Sequence, residues 1–261
     1  MSKQIYMKMG WTKIFMLVAS ITIYTSTLSA KSITIAVAAN VGYAIDDLKS
    51  AFDKLHPEID TTIILGSSGK LTAQIRYGAP YDLLMSADMR YPKALYDDGL
   101  AISKPIIYAQ GALALLSTEA RDFSKGLSIL QDSYIEKIAI ANPKTAPYGI
   151  AAAQALRKVK LYQKLKPKFI YGESVSQTVT YAIKAADIGL VAKSSLYSPK
   201  LSHYKEDINW ISIDNSLYSP IAQGMVILKA TKSLKEVEAF YQFMLSSTAK
   251  SILRKFGYQA P

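Results

Sequence analysis

The chain has 261 residues, 50% of them apolar, with no cysteine, two histidines and a formal charge of +11. Without cysteine it can hold no disulfide, zinc thiolate site or lipidated N-terminal thiol, and His56 and His203 stand too far apart for a paired-histidine metal motif. The lysines are spread over many amphipathic segments without a basic run or an aromatic-basic stripe, so they describe solvated faces rather than a nucleic-acid surface.

Lys3, Lys8 and Lys13 open the chain, residues 14–24 are apolar, and Leu28-Ser29-Ala30 ends in a small residue suited to cleavage. Residues 1–30 therefore read as a secretory signal peptide, the apolar run being shorter than the roughly twenty residues of a membrane span. Its removal takes three lysines with it and lowers the formal charge from +11 to +8. A cysteine-free exported chain suits a soluble protein of the periplasm.

Beyond residue 30, strand-like and helix-like patterns alternate, as in an α/β protein whose sheets are covered on both faces. The first series is a strand at 33–39, a helix at 44–55, a strand at 61–65, a helix at 71–77 and a strand at 83–86. A second runs through a strand at 138–141, a long helix at 149–165, a strand at 169–171, a helix at 175–185 and a strand at 188–192. Leu234, Val237, Phe240, Tyr241, Met244 and Leu245 recur at three- and four-residue intervals, which predicts one C-terminal helix over about 234–256. His56, before Pro57, reads as a surface residue at a helix end.

Each series can build its own doubly wound sheet, and the apolar extended stretches 106–116 and 220–228 can pass between them. The division expected is residues 31–108 with 220–261 as one lobe and 109–219 as the other. Paired crossings would keep the lobes together while allowing closure over a ligand.

Leu65-Gly66-Ser67-Ser68-Gly69-Lys70-Leu71 stands where a β-branched run gives way to a helical one. Unpaired N–H groups and the positive end of a helix dipole favour an anion there, and two serines add neutral donors; Ser and Gly are also ordinary cap and turn residues. Of the two, Ser67 is expected to cap or orient the loop and Ser68 to face the anion. The spacing fits neither a phosphate-binding P-loop nor a nucleophile elbow, since Leu71 follows the lysine and Lys70 replaces the elbow's second glycine. Ser67-x-x-Lys70 matches the pair of penicillin-recognising acyl enzymes, but no Ser-Asp-Asn is present and Ala146 follows Lys144-Thr145. An acyl enzyme remains as the alternative class.

Six segments now fall into a known order: Ala36-Val37-Ala38-Ala39-Asn40; Gly66-Ser67-Ser68-Gly69-Lys70-Leu71; Gly78-Ala79-Pro80-Tyr81-Asp82-Leu83-Leu84-Met85-Ser86-Ala87-Asp88; Asn142-Pro143 with Ala146-Pro147-Tyr148-Gly149; Gly172-Glu173-Ser174-Val175-Ser176-Gln177; and Gly189-Leu190-Val191-Ala192. Together they resemble the periplasmic molybdate-binding proteins of ABC importers, over the whole mature chain. The resemblance implies the two-lobed type II periplasmic binding protein fold, an α/β architecture with the ligand cleft between the lobes. It further implies a tetrahedral oxyanion, molybdate or tungstate, held by backbone N–H groups and neutral side chains. Carried over residue by residue, it points to Ala39, Asn40 and Ser68 from one lobe and to Tyr148 and Val175 from the other, with Tyr148 acting through its main-chain N–H.

No catalytic residue, no cofactor and no bare metal cation are implied; molybdenum or tungsten would be bound as the oxyanion. The partner implied is an ABC permease, and the chain itself is expected to be a monomer. Some members of the family carry Ser where this chain has Asn40 and a Tyr hydroxyl where it has Ala192; this chain resembles the members with Asn and no such Tyr. Another tetrahedral oxyanion, or ferric ion, is the alternative ligand, with no adjacent tyrosine pair to favour iron.

Overall fold

The computed structural model describes residues 31–260; the signal peptide read from residues 1–30 lies outside them. In chain order the elements are β1 (Lys31–Ala38), α1 (Ile45–Leu55), β2 (Ile59–Gly66), α2 (Ser68–Arg76), β3 (Leu83–Ser86), α3 (Arg90–Asp97), β4 (Ile106–Gly111) and β5 (Leu113–Leu116). They continue with β6 (Ile138–Ala141), α4 (Pro147–Lys158), α5 (Tyr162–Leu165), β7 (Phe169–Gly172), α6 (Val175–Lys184), β8 (Ile188–Ala192), β9 (Trp210–Ser212), β10 (Ile221–Ile227), α7 (Leu234–Leu245) and α8 (Ser247–Lys255).

Two five-stranded sheets result, ordered β2-β1-β3-β10-β4 and β7-β6-β8-β5-β9. Each is mixed. Three parallel strands, separated by helical crossovers, are joined by two strands that continue the sheet antiparallel. In the first sheet Val37 lies opposite Leu65 on one side and Met85 on the other. Both parallel neighbours of β1 thus end at the same edge, where their following turns gather.

The apolar runs of the inner strands are buried on both faces, as parallel strands under helices require. On one face of the first sheet Ile33, Ile35, Val37 and Met85 pack against Leu48 and Phe52 of α1 and Val237, Phe240 and Met244 of α7. On its other face Ala36 and Leu84 meet Leu71 and Ile75 of α2 and Leu95 of α3. The second sheet is sandwiched likewise, with Ile138, Ile140 and Leu190 under α4 and Ala139 and Val191 under α6. Among the described residues no helix is long and apolar enough to cross a membrane.

The chain passes from the first sheet to the second at Gly111–Leu113, so 106–116 is one extended path shared by both sheets. Its return runs through 213–220, because β10 belongs wholly to the first sheet. His56 ends α1 half-buried, its ring 4.8 Å from that of Phe52.

Two helices expected as single are each broken, for local reasons. The 149–165 stretch ends α4 at Lys158, and Lys160 takes a left-handed φ of 60° before α5 starts. The 234–256 stretch breaks at Ser246, which is extended and whose hydroxyl accepts the Ala249 N–H at 3.2 Å. A Ser-Ser-Thr run supplies an N-cap that a continuous hydrophobic period conceals.

Candidate functional site

The turns following β1, β2, β6 and β7 lie at the facing edges of the two sheets. After β1 the chain enters a short 3-10 helix, Ala39–Tyr43, rather than running straight into α1. Ala39 and Asn40 thus stand at the start of that turn, both buried. After β2, Ser67 is extended at the N-cap position of α2 and Ser68 is the first helical residue. Contrary to expectation, the Ser67 hydroxyl makes no capping bond. The neighbouring serine does the orienting: Ser68 Oγ accepts the main-chain N–H of Ala87 at 2.9 Å, tying α2 to the end of β3. A hydroxyl that accepts in this way keeps its own proton free to donate elsewhere.

In the second lobe β6 ends at Ala141, and Asn142 turns the chain by accepting the Lys144 N–H at 3.0 Å through its side chain. Pro147 opens α4, a position suited to a residue without an N–H, and Tyr148 follows in the first turn. Gly149 presses so close to the strand that a Cβ there would lie 2.2 Å from the Ala141 carbonyl oxygen. After β7, the Ser174 hydroxyl accepts the Gln177 N–H at 3.2 Å, and Val175 is the first residue of α6. First-turn N–H groups have no acceptor within their own helix, so each start presents donors.

Four contacts bring the lobes together around these starts. Ser176 Oγ donates to the Ala39 carbonyl at 2.8 Å, and Ser194 Oγ donates to the Asn40 carbonyl at 3.2 Å. The Gly69 N–H donates to the Thr145 carbonyl at 2.9 Å. At the exposed rim Lys70 Nζ lies 3.6 Å from Glu173 Oε2. The start of α6 therefore faces the turn after β1, and the start of α2 faces the loop that leads into α4. Ala38 and Ala87 of the first lobe share a buried apolar cluster with Ala141, Tyr148, Val175 and Ala192 of the second. Asn40, Ser68 and Tyr148 are each only 1% exposed.

Behind the turns lies a polar network that the sequence reading did not find. Gln223 Nε2 donates to the Ile221 carbonyl at 3.1 Å, which leaves Gln223 Oε1 to accept from Asn40 Nδ2 at 2.8 Å. The second Nδ2 proton goes to the Tyr258 hydroxyl at 2.8 Å, and that hydroxyl donates to the Asn40 carbonyl at 2.9 Å. Both amide protons of Asn40 are thus engaged, so its side chain positions the turn and its main-chain N–H is the donor left over. Gln223 interrupts an otherwise apolar strand, the one sequence signal available, and the β10 register slips beside it in a bulge that re-aims side chains. Tyr258 and Ser194 carry no such signal, being brought in from 218 and 154 residues away from Asn40.

The Tyr148 ring points away from the turns towards this network. Its hydroxyl is buried beside Gln223 and Tyr258 without a well-formed hydrogen bond to either, and packs against Gly111, where a Cβ would come within 2.1 Å of it. Burial pushes the Tyr148, Tyr108 and Tyr258 phenols well above the ordinary tyrosine value, so all three stay neutral at any physiological pH. The one buried charged side chain among the described residues is Glu236, which pairs with Lys31 at 2.6 Å in the α7 region. The turns are therefore lined by neutral donors.

Ser67 is buried whereas Lys70 is exposed and paired with Glu173, and among the described residues no hydrogen bond joins Ser67 to Lys70. Among the described residues no group of three or more His, Asp or Glu side chains is placed to hold a metal ion.

The family model described as bacterial extracellular solute-binding protein matches residues 33–259. The molybdate-binding protein ModA of Rhodobacter capsulatus is 34% identical over 233 residues, covering 88% of this chain and 89% of its own length. The solved periplasmic molybdate-binding protein of Azotobacter vinelandii superimposes with a TM-score of 0.81 at 31% identity, over 88% of this chain and 99% of that one. The sulfate-binding protein SubI of Mycobacterium tuberculosis H37Rv reaches a TM-score of 0.71 at 12% identity, over 88% of this chain and 87% of that one, a likeness of fold alone.

Proposed function

Because this chain belongs to the bacterial extracellular solute-binding proteins, and within them to the molybdate-binding proteins, we propose that it captures molybdate in the periplasm and delivers it to an ABC importer. Tungstate, of the same charge and shape, is the second ligand of the same site. The proposed donors are the main-chain N–H groups of Ala39, Asn40, Ser68, Tyr148 and Val175, together with the Ser68 hydroxyl. The observation that carries the reading is the convergence of helix starts from both lobes on one buried, uncharged place.

Neutral donors suit this task. Each hydrogen bond to a charged acceptor contributes roughly 1.5 to 3 kcal/mol, and several of them, less the costs of association and closure, reach micromolar to nanomolar affinity. A fully deprotonated oxyanion accepts at every oxygen. Hydrogen phosphate must set its own O–H against a donor, a mismatch of about 1 to 3 kcal/mol in a dry site. Sulfate has the right charge but is smaller, so the same donors are left too long.

The main-chain part of this reading is testable at Val175. Ser174 is extended at φ −136° and ψ 164°, a conformation that tolerates a following proline, and proline is favoured at the first helical position. Val175→Pro is expected to keep α6 and to weaken molybdate binding at least about tenfold by deleting one N–H. Val175→Ala, which keeps the N–H, controls for lost packing. Equal losses for the two variants in a calorimetric titration would show that packing, and not the donor, is what matters there.

A further inference from the structure

We propose that Gly69 and Thr145 form a main-chain clasp between the lobes, and that residue 69 must be glycine because the closed state, and not the fold of its own lobe, forbids a side chain there. The proposal deepens the molybdate reading and rests on it for the ligand. Gly69 is the second residue of α2, and its N–H is spent on the Thr145 carbonyl of the other lobe at 2.9 Å. The Tyr91 hydroxyl of the first lobe approaches the same carbonyl at 3.4 Å. Thr145 lies just before Pro147 and Tyr148, so holding its carbonyl also places the first turn of α4.

A Cβ on Gly69 would stand 2.8 Å from the Thr145 carbonyl oxygen and 3.0 Å from Thr145 Cα. Those are main-chain atoms and cannot step aside without parting the lobes. The remaining close atom, the Tyr91 hydroxyl at 2.7 Å, is the end of a movable side chain. Gly69 has no left-handed φ, and alanine is the better helix former, so within the first lobe alone the substitution is benign. Affinity and ligand-free stability are thus predicted to move in opposite directions, which a residue of merely structural importance does not do. Because the clasp needs no anion, it populates a minor closed state before ligand arrives, too small a fraction to stabilise the ligand-free chain, and slows release afterwards.

The test places nitroxide labels at Lys70→Cys and Glu173→Cys, the sole thiols in a chain that has none of its own, and measures the label distance with residue 69 as glycine or alanine. The glycine protein is expected to show a short-distance population, enlarged by molybdate, that Gly69→Ala loses. In the unlabelled protein Gly69→Ala is expected to raise the molybdate Kd at least about tenfold while the ligand-free Tm stays equal or rises. Tyr91→Phe, which leaves the glycine in place, is expected to speed molybdate release severalfold. Equal short-distance populations and equal Kd for glycine and alanine would overturn the clasp, as would a fall in ligand-free Tm or an absence of any short-distance population in the glycine protein. A glycine protein that closes but binds no molybdate would instead overturn the ligand assignment and leave the clasp standing.

Discussion

Tyr148→Ala is expected to lower the unfolding free energy by about 3 to 5 kcal/mol, the usual cost of emptying a buried aromatic position. Tyr148→Phe is expected to leave stability unchanged or slightly higher. The ring is 1% exposed and fills the space beside Gly111, while its hydroxyl is buried without a well-formed hydrogen bond. Removing a buried hydroxyl that makes no well-formed hydrogen bond costs little. Since the proposed contact with the anion is the main-chain N–H, Tyr148→Phe should also change molybdate affinity by less than about fivefold, under roughly 1 kcal/mol. Urea unfolding of the ligand-free variants and a titration of each would measure both effects. A phenylalanine variant as damaged as the alanine one would mean that the hydroxyl has a partner, the anion included. Tyr148→Pro deletes the N–H but empties the ring site as well, so Val175 is the cleaner place to remove a donor.

Ser68→Ala is expected to weaken molybdate binding by roughly ten- to 150-fold, the loss of about 1.5 to 3 kcal/mol for a hydrogen bond to a charged acceptor. Ser68 is placed by the Ala87 N–H, which fixes the oxygen and leaves the proton free to donate. The same bond gives the variant a second cost. Ala87 is buried, so its N–H would lose its acceptor, and ligand-free stability should fall by about 1 to 3 kcal/mol. Ser67→Ala should do less on both counts, its hydroxyl making no cap. The reverse order of the two serines in a titration would assign the hydroxyl donor to Ser67.

What could be read along the chain was whatever depends on near neighbours. The strand and helix alternation follows from local patterns, and so does the placing of small and hydroxyl residues where strands end. Ser68 and Val175 each open a helix and Tyr148 lies in a first turn because Ser67-Ser68, Ser174-Val175 and Pro147-Tyr148 carry ordinary start signals. The 3-10 turn at Ala39–Tyr43 was legible only as a connection between the strand at 33–39 and the helix at 44–55, since nothing in Ala-Asn-Val-Gly-Tyr marks a helical turn of its own. Breaks at Lys160 and Ser246 were hidden under an uninterrupted apolar period.

Long-range partners were out of reach altogether. The network of Asn40 with Gln223, Tyr258 and Ser194 joins the first strand to the last and to the second lobe, and no spacing announces it. The inward turn of the Tyr148 ring is likewise decided by Gly111, a neighbour from the crossing between sheets. At Gly69 the reason for a glycine lies across the cleft, in a carbonyl of the other lobe.

Preplaced, uncharged donors that select a fully deprotonated tetrahedral oxyanion of molybdate size would separate anions by protonation and by radius. One calorimetric experiment tests this most directly: the purified, ligand-stripped protein titrated with molybdate, tungstate, sulfate and phosphate under one buffer. Saturable binding of molybdate and tungstate at a single site per chain is expected, with sulfate and phosphate at least about a hundredfold weaker, a gap of roughly 2.7 kcal/mol or more. Sulfate or phosphate binding as tightly as molybdate would contradict it.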